Sequence, residues 1–175
     1  MNVLTLTTPD IENGLGCRVT IWIAGCNRHC PGCHNSHTWN YDQGKSLFDP
    51  DVLNKIENEV EKDYIQGITL SGGDPLDQSD DSLTKLYIFL YEFHLKYGDT
   101  KDVWMYTGAI FEDLLKKQKY IDILKYVDVL VDGPFIQSKK ELDLPFKGST
   151  NQRIIDVKKS LKLNKTILYN EENGF

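Results

Sequence analysis

The chain has 175 residues, a formal net charge of −6, 40% hydrophobic and 26% charged residues. That length suits one domain, residues 1–175, around a single core, and the acidic balance argues against nucleic acid as a partner. No apolar run approaches the ~20 residues of a membrane span and no basic-then-apolar leader marks a secretory signal, so a cytoplasmic protein with no membrane partner is expected.

The run at 18–24 (RVTIWIA) is β-branched and apolar and predicts a buried strand. Asp49-Pro50 then opens a helix, with proline in its first turn and Val52, Leu53, Ile56 and Val60 at helical spacing. A second strand is predicted at 68–70 (ITL), running into Ser71-Gly72-Gly73. A helix follows over 82–97, with Leu83, Leu86, Phe89, Leu90 and Phe93 on one face. The run 103–106 (VWMY) predicts a third strand, ending at Thr107-Gly108, and 110–124 a third helix. The strand predicted at 127–131 ends at Asp132-Gly133-Pro134, Ile154-Ile155 begins another, and 163–169 reads as a last, weaker one. Residues 164–175, bearing Lys and Glu, are expected to form a flexible tail.

Strands alternating with helices predict an α/β fold with parallel strands and crossover helices. The chain is too short for an eightfold barrel of ~250 residues. The expected architecture is an incomplete, open βα barrel of about five to six parallel strands. Functional groups in such sheets gather at the carboxyl ends of the strands, and each motif below follows such an end.

After the first strand comes Cys26-Asn27-Arg28-His29-Cys30-Pro31-Gly32-Cys33-His34-Asn35, a Cys-x3-Cys-x2-Cys spacing. Three thiolates in one compact loop grip one corner of an iron–sulfur cube. A missing fourth ligand leaves one iron open, as a catalytic site requires. A structural zinc ion, with His29, His34 or His37 as fourth ligand, is the alternative. Cys17 lies nine residues before Cys26, and an extended strand of that length spans roughly 25 Å. It is therefore expected to be a plain thiol.

With this loop the chain resembles the radical S-adenosylmethionine superfamily. The resemblance implies a 4Fe–4S cluster on Cys26, Cys30 and Cys33, with the methionyl amine and carboxylate of S-adenosyl-L-methionine on the open iron. It also implies cofactor contacts from Gly32, Cys33 and His34. Gly32 departs from the pattern, because many members have an aromatic residue there. The stretch Ser71-Gly72-Gly73-Asp74-Pro75-Leu76 resembles the superfamily's second motif, which meets the cofactor's amino group. Glycines allow close backbone approach, and free carbonyls receive an ammonium. Asp74 stands where many members have Glu. Tyr106 and Thr107 are expected to reach the cofactor, and Ser149, Asn151 and Arg153 to hydrogen-bond its ribose or carboxylate.

Further stretches narrow the family: 12–18 (ENGLGCR), 34–39 (HNSHTW), 131–135 (VDGPF) and 149–153 (STNQR). Together they resemble the glycyl-radical-enzyme activases, and the short length is similar to those acting on anaerobic ribonucleoside-triphosphate reductase. Leu15 stands where this family usually has Pro, and His34 where the subgroup often has Tyr. His34-Asn35 is closer to the longer pyruvate formate-lyase activases. The resemblance implies an oxidoreductase that cleaves S-adenosyl-L-methionine to a 5′-deoxyadenosyl radical and makes a glycyl radical on the reductase's large subunit. No catalytic side chain beyond cluster and cofactor is implied, and the electron comes from a donor such as a flavodoxin. The alternatives are an activase of another glycyl radical enzyme, such as pyruvate formate-lyase, and a non-catalytic zinc-binding interaction module.

Overall fold

The structure, a computed structural model, describes residues 1–169. Its strands are β1 (Asn2–Asp10), β2 (Cys17–Ile23), β3 (Lys45–Ser46), β4 (Ile65–Gly72), β5 (Asp102–Tyr106), β6 (Val129–Asp132) and β7 (Arg153–Asp156). Its helices are α1 (Pro50–Val60), α2 (Asp80–Tyr97), α3 (Phe111–Leu114), α4 (Gln118–Leu124) and α5 (Val157–Leu163). The strands form one open seven-stranded sheet in the order β3-β1-β2-β4-β5-β6-β7.

The α/β class holds, but the parallel run has four strands, β2-β4-β5-β6, rather than five or six. At the margins β1 pairs antiparallel with β2, β3 with β1, and β7 with β6. A parallel pairing needs a crossover of a dozen or more residues, usually helical. Between β6 and β7 stands only the short 3-10 turn Gln137–Lys139, so β7 returns antiparallel. β1 escaped the sequence reading because its apolar positions are few and Thr8-Pro9 interrupts them.

Strand periodicity sorts the two faces. Val19, Ile21, Ile23, Ile68, Leu70, Val103 and Met105 are buried in the main core with Leu83, Leu86, Phe89, Leu90 and Phe93 of α2. Each such large side chain contributes about 1.5–3 kcal/mol when fully buried. The alternating positions carry Arg18, Thr20, Trp22, Thr69, Ser71, Trp104 and Tyr106. Arg18, fully buried, hydrogen-bonds Thr69 Oγ1, Leu15 O, Ile68 O and Asp102, with its guanidinium over the Trp104 ring.

Asp49 caps α1 through the Asp51 amide, and Pro50 takes the first turn as expected. The helix predicted at 110–124 is two helices. Polar residues fill 116–119, and Lys117 takes an extended conformation that caps α4. The strand expected at 163–169 is replaced by the end of α5, closed by Asn164 in the left-handed region, and a single bridge from Leu168 to Ile155. Of the segment expected as a tail, Ile167 O accepts from Asp156 N and Tyr169 N donates to Ile154 O, each at 2.9 Å. Residues 170–175 lie outside the described residues. Among the described residues, no helix is long and apolar enough to cross a membrane.

Candidate functional site

The parallel strands deliver their carboxyl-end turns to one cavity of about 440 Å³, a size typical of small-molecule sites. The loop after β2 is clamped at both ends. Gly25 N donates to Thr38 O at 2.7 Å and Cys26 N to Trp39 O at 3.1 Å. Inside it, Cys33 N donates to Cys30 O at 3.1 Å. Pro31 and Gly32 occupy the corner of that turn, and Gly32 has φ +73°, the conformation a type II turn demands at this position. His29, also at positive φ, packs against Trp39 with ring centroids 4.5 Å apart and the planes tilted by 30°.

Cys26, Cys30 and Cys33 all line the cavity, and their thiols are free. Cys17, the first residue of β2, stands at the strand's other end. Among the described residues, no three His, Cys, Asp or Glu side chains converge closely enough to hold one metal ion. A tetrahedral zinc ion needs its ligands within ~2.0–2.3 Å of one point. Three free thiols on one cavity are the donor set an iron–sulfur cluster takes, and in that sense the residues fit a cluster. Burial pushes the Cys26 thiol pKa up, so binding iron there must displace a proton.

The turn after β4 presses against the cysteine loop. Gly73 N donates to Ile23 O at 2.8 Å, and Asp74 N to Gly25 O at 3.0 Å. A Cβ at Gly73 would fall 2.4 Å from Gly25 O, and Gly72 has φ +98°, so both positions need glycine. Gln78 Nε2 donates to the carbonyls of Ala24, Gly25 and Asp74, each at 3.1 Å. The Asp74 carboxylate, 3% exposed, accepts from Leu76 N, the Thr107 hydroxyl, Gly108 N and Arg28 Nε.

Of the expected site residues, Cys26, Cys30, Cys33, His34, Gly72, Gly73, Asp74, Tyr106 and Thr107 line the cavity. His34 also packs against Phe135, with ring centroids 5.7 Å apart and the planes tilted by 39°. Burial pushes the Tyr106 phenol pKa up. Four expected residues do not line the cavity. Gly32 is exposed and serves the turn. Ser149 is buried and accepts from Ile136 N at 3.2 Å. Asn151 Nδ2 donates to Pro134 O at 2.8 Å. Arg153 is taken up by Glu112 and Asp132.

Arg28, Trp22, Ser71, Phe135 and Gln152 line the cavity and were not singled out as cofactor-binding residues. Trp22 and Ser71 lie at the alternating positions that share a sheet face with Tyr106, a signal legible in the strand pattern. Gln152 braces the rim, its Nε2 donating to Gly133 O at 3.0 Å and its Oε1 accepting from Gly148 N at 2.8 Å. Nothing local in the sequence reveals that contact.

Comparison with known proteins agrees with this geometry. The family model described as a 4Fe-4S single cluster domain matches residues 12–155. The anaerobic ribonucleoside-triphosphate reductase-activating protein of Enterobacteria phage T4 is 39% identical over 159 residues, covering 88% of this chain and 93% of that relative. The protein of the same name from Haemophilus influenzae is 38% identical over 156 residues, covering 88% and 97%. That from Escherichia coli (strain K12) is 37% identical over 146 residues, covering 82% and 90%. With matches this long on both sides, and with the three cysteines on one cavity, the chain belongs to the family of anaerobic ribonucleoside-triphosphate reductase-activating proteins and carries a 4Fe-4S single cluster domain.

Proposed function

We propose that this protein reductively cleaves S-adenosyl-L-methionine at a 4Fe–4S cluster held by Cys26, Cys30 and Cys33, and so creates a glycyl radical on the large subunit of anaerobic ribonucleoside-triphosphate reductase. The observation that carries this reading is the convergence of three free thiols and the Gly72-Gly73 turn on one cavity. The bound cluster supplies one electron that breaks the sulfonium C–S bond, giving methionine and a 5′-deoxyadenosyl radical that takes hydrogen from a glycine Cα.

The chain's own residues hold, orient and shield. The clamped loop fixes three thiols, and Cys17 stands at the far end of β2, so one iron stays free for the cofactor. The Gly72-Gly73 turn brings bare backbone against that loop. Trp22, Trp39 and Phe135 give the cavity apolar walls, which exclude water from a reactive intermediate. The rim segment 141–147 is open, with Leu142 83% exposed, and admits a macromolecular substrate. A one-electron donor such as a flavodoxin completes the cycle.

Anaerobic reconstitution with iron and sulfide, reduction, and addition of S-adenosyl-L-methionine are expected to yield 5′-deoxyadenosine. Adding the reductase is expected to produce a glycine-centred radical by electron paramagnetic resonance. Full cluster loading without either product would overturn the reading.

A further inference from the structure

The cysteine loop carries a cation that the cluster itself does not need. Arg28 lies two residues after Cys26, lines the cavity, and has a side chain 34% exposed. Its Nε donates to Asp74 Oδ2 at 2.8 Å. Its stem runs over Gly108, where a Cβ would fall 2.3 Å from Arg28 Cδ. Asp74 and Gly108 therefore fix the direction of the guanidinium. Among the described residues, Nη1 and Nη2 have no hydrogen bond.

We infer that Arg28 binds the carboxylate of S-adenosyl-L-methionine through Nη1 and Nη2, an assignment that rests on the function proposed above. Two nitrogens of a planar guanidinium match the two oxygens of a carboxylate. Among the described residues Lys147 is the other Lys or Arg lining the cavity, but it belongs to the rim segment, whereas Arg28 belongs to the cysteine loop itself and is held in place by Asp74. Asp74 cannot take the complementary role of meeting the cofactor's ammonium with a free edge. Its oxygens already accept from Leu76 N, Thr107, Gly108 N and Arg28. It is instead a positioning residue for Arg28, and the ammonium is left to backbone carbonyls of the glycine turn.

The test is equilibrium dialysis of the reconstituted protein with S-adenosyl-L-methionine and with its decarboxylated analogue, with iron and sulfide content measured on every sample. Arg28→Gln keeps a donor for Asp74 but removes the charge and the fork. It is expected to weaken binding of S-adenosyl-L-methionine about tenfold or more, the scale of a hydrogen bond to a charged group, and to leave binding of the analogue within about twofold. Arg28→Lys is expected to fall between wild type and Arg28→Gln, because a point charge cannot fork. Equal losses for both ligands, or no loss for S-adenosyl-L-methionine, overturn the inference. If Arg28→Gln fails to hold iron, Arg28→Lys decides: discrimination between the two ligands equal to that of wild type overturns it. A loaded wild-type protein that binds no S-adenosyl-L-methionine overturns the proposed function and this assignment together. Wild-type binding that the variants leave unaltered overturns this assignment alone.

Discussion

Asp74 Oδ1 accepts a hydrogen bond of 2.8 Å from the Thr107 hydroxyl, 33 residues further along the chain. It joins the turn after β4 to the end of β5, and the second carboxylate oxygen extends the tie to Arg28 of the cysteine loop. One buried side chain thus holds together three turns that the sheet delivers side by side.

Removing that tie should be felt in stability. Asp74→Ala leaves two buried or half-buried amides and the Thr107 hydroxyl without their acceptor, with a cost of about 3 kcal/mol. Thr107→Val removes two hydrogen bonds, the one donated to Asp74 and the one accepted from Ala109 N, and should cost about 2 kcal/mol. Urea unfolding measures both; an Asp74→Ala midpoint equal to wild type would refute the fastening role.

Single substitutions of Cys26, Cys30 or Cys33 by Ala should abolish the cluster, read as loss of iron, sulfide and the brown absorbance. Cys17→Ala should retain all three, because Cys17 begins β2 while the loop follows its end. Iron loss in the Cys17 variant would overturn the ligand assignment.

Gly73→Ala tests close approach without φ strain, since Gly73 is not in the left-handed region. Its Cβ would meet Gly25 O at 2.4 Å, which is backbone and cannot swing away. The variant should lose about 1–3 kcal/mol, the range for overpacking, and should hold the cluster less well. Unchanged stability and iron content would show that the two turns are not in contact.

Acid should loosen the β6–β7 edge. Glu112 takes Arg153 at 3.0 and 2.7 Å and the Thr166 hydroxyl at 2.6 Å. Chiefly through Arg153, its carboxyl pKa is lowered from 4.5 to about 2. A carboxyl with a depressed folded-state pKa contributes stability above its unfolded value and loses it as pH falls toward the folded one. Between about pH 6 and about pH 3, wild type should therefore lose more stability than Glu112→Gln, because only wild type has this charge to neutralise. Equal pH slopes in urea unfolding would show that the pair does not contribute.

The Cys-x3-Cys-x2-Cys loop, the Gly-Gly turn and the helical faces of α1 and α2 were legible because each is a short-range fact. Spacing along the chain sets which thiols share a loop, and periodicity sets which side chains share a face. The family was legible for the same reason, since its motifs are local strings. Strand direction at the margins, by contrast, depends on what the connection contains. The helix expected at 110–124 broke at Lys117, which takes an extended conformation ahead of α4.

Chain spacing alone therefore determined which atoms are available for a cluster. Only the tertiary structure decided the employment of the charged residues around it: Asp74 as a fastener, Arg153 in ion pairs with Glu112 and Asp132, and Arg28 on the cavity wall. A charge finds its partner through space, across 46 residues for Arg28 and Asp74, and no periodicity in the sequence encodes that pairing.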